Sequence, residues 1–63
     1  MKLNKTKVLL AMAELEFTQA DLASAAGITR QTVHAMMNGR GCRPNILGKV
    51  AKALNKKPEE IIE

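Results

Sequence analysis

The sequence predicts an all-α fold, a compact bundle of five short helices, on three observations. Apolar residues recur at helical spacing along most of the chain, capping residues and glycines punctuate that pattern at short intervals, and the apolar set almost lacks aromatic rings. Of 63 residues 46% are hydrophobic, yet Phe17 is the only aromatic. The core must therefore be built from Leu, Ile, Val, Ala and Met, side chains that suit closely packed helices. The chain reads as one domain over residues 1–63, near the lower limit at which packing alone sustains a core. Cys42 is the only cysteine, which rules out an internal disulfide and leaves no second thiol to start a zinc site.

Taken in order, Met1 to Thr6 form a polar, lysine-bearing arm that leads to Asn4 or Thr6 as the cap of the first helix. From Lys7 to Glu16 the apolar set Val8, Leu9, Met12 and Leu15 has helical spacing and should supply one wall of the core. Phe17, just before the next cap, is placed to pack as a hydrophobic staple against Leu22. Thr18 and Asp21 have capping-box spacing: the threonine hydroxyl accepts from a free helix-start amide while the carboxylate three residues on reaches back. That second helix stops at Gly27, where a positive φ is needed and costs glycine nothing. Thr29 offers a further N-cap, and a third helix runs from about Arg30 to Asn38, closed by Gly39. Leu22, Ala26, Ile28, Val33 and Met36 then let the second and third helices bury one shared face. The loop Arg40-Gly-Cys-Arg-Pro44 follows, with Pro44 at the first turn of a fourth helix. Ile46, Leu47, Val50, Ala51 and Leu54 form its buried stripe. Gly48 within it costs about 1 kcal/mol relative to alanine, which suggests a position where another backbone comes close. Asn55 ends the helix, and Pro58 to Ile62 read as a last short helix with Glu59 and Glu60 at the positive end of its dipole.

Net charge is +4, and its distribution is more informative than its size. No carboxylate occurs between Leu22 and Pro58, a stretch that holds Arg30, Arg40, Arg43, Lys49, Lys52, Lys56 and Lys57. A polyanion is the natural partner for such a surface, although a basic face can also serve solubility alone. The exposed face of the third helix coincides with it: Arg30, Gln31, Thr32 and His34 are all polar. The short apolar run at residues 8–13 is too brief for a membrane span or a clear signal peptide, so a cytoplasmic location is expected.

Gln19, Leu22, the small Ala23, Gly27, Ile28, Val33 and Met36 together resemble the helix-turn-helix pattern of the phage Cro and repressor type of DNA-binding domain. The resemblance covers nearly the whole chain. It implies a lambda-repressor-like bundle in which helices two and three form the helix-turn-helix and helix three enters the major groove. It assigns base reading to Arg30, Gln31, Thr32 and His34. An arginine can donate twice to guanine, and a glutamine can pair bidentately with adenine, each worth about 1–3 kcal/mol of discrimination. His34, one turn beyond Arg30, is in reach of a base edge or a phosphate, or is simply exposed. Phosphate contacts are implied for Gln19, Thr29, Asn38, Arg40 and Arg43; Lys56 and Lys57 read equally well as solvated charge. The resemblance implies double-stranded DNA as the partner, met as a monomer or as a weak, DNA-dependent homodimer, and no cofactor or small-molecule substrate is expected. Repression is the family's habit.

An enzyme is disfavoured, because the chain has one histidine, one cysteine, no paired carboxylates in its centre and no glycine-rich phosphate loop. The rival from another class is a protein-interaction module, an antitoxin or antirepressor built on the same helices. That use favours exposed apolar residues on the third helix, and Met37 is the one candidate expected there.

Overall fold

A computed structural model describes all residues, 1–63. Four α-helices follow one another: α1 (Lys5–Leu15), α2 (Gln19–Ala26), α3 (Arg30–Met37) and α4 (Pro44–Ala53). There is no named strand, and the expected fifth helix is only a 3₁₀ turn, Pro58–Glu60. The acidic pair there is spent differently from the expectation: Glu60 accepts from Lys57 N–H at 2.9 Å, closing a three-residue turn. Pro58 starts that turn, and the residues after it pair with the amino-terminal segment instead of continuing a helix: Asn4 N–H donates to Ile61 O at 2.8 Å and Glu63 N–H to Lys2 O at 3.1 Å.

The local signals for the other helices act as their chemistry requires. Asn4 caps α1 through Lys7 N–H at 3.1 Å. Thr18 N–H donates to Asp21 Oδ2 at 2.9 Å and Asp21 N–H to Thr18 Oγ1 at 3.1 Å, so both arms of the capping box are made. Gly27 ends α2 at φ 71°, a left-handed conformation that any Cβ would strain. Thr29 caps α3 through Thr32 N–H at 3.1 Å, and the chain leaves α3 through Asn38 and Gly39, the latter at φ 91°. Pro44 is the first residue of α4, where its missing N–H is no loss. Two non-glycine residues, Glu16 (φ 56°) and Asn55 (φ 57°), also take the left-handed conformation at helix ends.

All 15 buried residues are apolar. They include Val8, Leu22, Val33, Val50, Leu54 and Ile61, the largest of the fully buried side chains. α2 packs against both α3 and α4, and the last turn packs on α4. Phe17, Ile28, Ile46 and Ile62 lie half-buried against this core. The stripe predicted for α1 needs correction: Val8 and Met12 are inside, but Leu9 is 46% exposed and Leu15 38%. Ala11 takes the inner place, since buried positions at 8, 11 and 12 leave position 9 about 100° round the helix. Gly48 is corrected too. A Cβ built there meets nothing within 4 Å, so no backbone approaches it. No helix is long and apolar enough to cross a membrane.

Candidate nucleic-acid interface

The core-facing side of α3 fixes what its other side presents. Val33, Met36 and Met37 are buried, which turns Arg30, Gln31, His34 and Asn38 to solvent in one stripe about 100° wide. Met37 was expected outside; it is 5% exposed and belongs to the core. Thr32 is half-buried, and its hydroxyl lies 2.8 Å from Thr29 Oγ1. Both threonine hydroxyls therefore serve the start of the helix before they serve any ligand. Asn38 Nδ2 is 2.9 Å from His34 Nε2. With the amide as donor, Nε2 accepts and the ring proton sits on Nδ1. The i, i+4 spacing that permits this pair was visible in the sequence, though the pairing itself went unread.

Two open depressions lie side by side along this stripe. One, of about 350 Å³, is lined only by Gln19, Arg30, Gln31 and His34. It joins the first residue of α2 to the exposed face of α3, positions 11 or more apart in sequence. The other, of about 410 Å³, is bounded by Gln31, Thr32, Arg40, Arg43 and Asn45 around the apolar floor of Met36 and Ile46. Gln31 is the residue common to both. Thr29 and Asn38 border neither depression and sit at the two ends of α3. Asn45 is an addition that sequence reasoning missed. Its signal was a polar residue directly after Pro44 in the first turn of α4, where polar groups remain exposed.

The electrostatics of this face are simple. Glu14 and Lys56 make the molecule's one ion pair, at 3.2 Å. Arg30, Arg40 and Arg43 thus have no carboxylate within 4.0 Å, and each is exposed. Lys56, left open between phosphate contact and solvated charge, is held against Glu14 of α1 and borders neither α3 depression. Asp21 lies at the start of α2. The Thr18 backbone N–H, and secondarily the Thr18 side chain, hold its carboxyl below the usual 3.8.

An exposed polar helix, a short glycine turn before it and unpaired arginines after it form a surface suited to an anionic polymer. A family model of the Cro/C1-type HTH DNA-binding domain matches residues 7–63. The chain belongs to the Cro/C1-type helix-turn-helix family. It is a DNA-binding domain by that membership, and DNA is its partner. No curated protein matches the chain. In this Cro/C1-type domain the family match begins within α1 and runs through the last turn, so it takes in every residue of both depressions.

Proposed function

We propose that residues 1–63 form one Cro/C1-type domain that acts as a sequence-specific, double-stranded DNA-binding transcriptional regulator of the repressor type. α3, about 12 Å long, enters the major groove, whose base edges carry a distinguishable pattern. Arg30, Gln31, Thr32 and His34 read bases; Gln19, Thr29, Asn38, Arg40 and Arg43 hold the backbone. Occupying an operator then blocks transcription machinery in the cytoplasm, as a monomer or a weak homodimer formed on DNA. The observation that carries this reading is the shared depression of Gln19, Arg30, Gln31 and His34. An amide side chain at a helix start, of the kind a phosphate can meet, and the polar face of α3 stand there side by side, with no acid among them. Burial of Met37 also supports it, because a protein-binding α3 needs an apolar anchor on its exposed face.

The test is selection of bound duplexes from a random pool at about 0.15 M salt, where charge alone is strongly screened. A short enriched motif is expected, and two half-sites about one helical turn apart would add a dimer. Gln31→Ala should then cost about 1–3 kcal/mol at one base pair of that motif and relax the preference there. Binding without enrichment, or an equal loss on every duplex for Gln31→Ala, contradicts the base-reading role. Absence of binding would hand the face to a protein partner.

A further inference from the structure

The first four residues are not a free arm. Asn4 N–H donates to Ile61 O at 2.8 Å and Glu63 N–H donates to Lys2 O at 3.1 Å. Leu3 pairs with Ile62 in an isolated antiparallel bridge, and its side chain is part of the core. Met1, at the outer end, turns to the loop after α3. Cys42 N–H donates to Met1 O at 2.7 Å, and Met1 N donates to Cys42 O at 3.3 Å. A Cβ added at Gly41 would stand 3.6 Å from Met1 O, so the two backbones run in near contact. Gly41 and Cys42 make no other backbone hydrogen bond. Their flanking residues, Arg40 and Arg43, are the two cations of the larger depression. With Gly39 and Gly41 inside it, this loop has unusual freedom to lose when it is ordered.

From these contacts we infer that Met1–Asn4 is a positioning strap for the arginine loop. Leu3 anchors it in the core, the carboxy-terminal residues hold its inner half, and Met1 fixes Cys42 from outside. Arg40 N–H donates to Ala35 O at 3.1 Å and Arg43 O accepts from Leu47 N–H at 2.9 Å, so the strap fixes the Gly41–Cys42 link between the two arginines before DNA arrives, and binding does not bear the entropy of ordering it. The inference rests on the DNA reading given above. The strap makes no hydrogen bond to Gln19, Arg30, Gln31 or His34, the residues of the smaller depression, so it governs how tightly the domain holds any duplex and not which bases it prefers.

The experiment uses the full chain with Leu3→Val, which loosens the anchor; Leu3→Ala removes enough core to risk unfolding a chain this small. Met12→Val, a core change outside the strap, is the control for lost stability. Amide hydrogen exchange is read residue by residue, and affinity is measured on the selected duplex and on an unrelated one. In Leu3→Val the Cys42 amide should exchange faster while the α3 amides keep their protection. Affinity for both duplexes should fall by the same factor, about tenfold, the cost of fixing one residue's backbone anew. Met12→Val should do neither. Unchanged Cys42 exchange, or faster exchange with undiminished affinity, overturns the strap's role. So does a fall in affinity confined to the selected duplex. If the wild-type chain binds no duplex while the exchange result holds, the DNA reading has failed and not the strap's grip on the loop.

Discussion

Gln31 and Asp21 show how single residues divide the work of this surface. Gln31 lies on the rim of both depressions and makes no hydrogen bond within the chain through its side chain, so its amide is available to a ligand. Asp21 is the opposite case, a polar group whose Oδ2 accepts from Thr18 N–H in the capping box. Its carboxyl is held below 3.8, first by the Thr18 backbone N–H and then by the Thr18 side chain. A native pKa below the unfolded one means the stabilisation is complete above that unfolded value and fades as pH falls through the native one. Asp21→Asn mimics the protonated acid. The gap in thermal midpoint between wild type and Asp21→Asn should therefore be constant from neutral pH to about pH 5 and close on further acidification. A gap that does not narrow at all as the pH is taken down from 5 would show that the charge of Asp21 has no part in the cap.

At the scale of the element, α4 carries an inefficiency that the fold does not require. Gly48 sits in mid-helix, where glycine loses more chain entropy than alanine on folding, yet nothing lies within 4 Å of where a Cβ would stand. Gly48→Ala should raise stability by about 1 kcal/mol, which lifts the melting temperature by roughly 4–8 °C in a domain of this size. An unchanged or lower melting temperature would mean that the site is crowded after all. By contrast, Gly27 (φ 71°) and Gly39 (φ 91°) bracket α3 in conformations that alanine would strain. The turns on either side of α3 depend on those two residues, and the same substitution there should act in the opposite direction.

Across the whole molecule, charge is sorted into two regions. The unpaired arginines border the α3 depressions, whereas Lys56 is bound to Glu14 and borders a third depression with Lys7, Leu10, Ala11, Glu60 and Ile61. Arg43→Ala should weaken binding to all duplexes and reduce the slope of log affinity against log salt by about 0.9, the share of one phosphate contact. Lys56→Gln should leave that slope where it is. A slope reduced equally by both would mean that net charge, and not position, drives binding. The radius of gyration, 9.8 Å, is no larger than the roughly 11 Å expected of a globule this long. Within it, residues 1–4 and 61–63 are joined by hydrogen bonds, Asn4 N–H to Ile61 O at 2.8 Å and Glu63 N–H to Lys2 O at 3.1 Å.

What the sequence by itself determined was local. Caps at Thr18 and Thr29, turn glycines at 27 and 39, and Pro44 depend on interactions within a few residues, so the starts of α2, α3 and α4 could be placed, whereas the cap of α1 stayed open between Asn4 and Thr6 and the structure gives it to Asn4. The polar face of α3 was readable for the same reason, because helical periodicity alone puts Arg30, Gln31 and His34 together. Tertiary structure decided the rest. Helical spacing placed Leu9 and Leu15 inward and Met37 outward, and the neighbours they meet reverse all three: Met37 is buried, and Leu9 and Leu15 are exposed. The convergence of Gln19 on α3, the pairing of Lys56 with Glu14 and the docking of Met1 on Cys42 join residues distant along the chain. Such contacts follow from how whole helices pack, and a one-dimensional pattern carries no record of that packing.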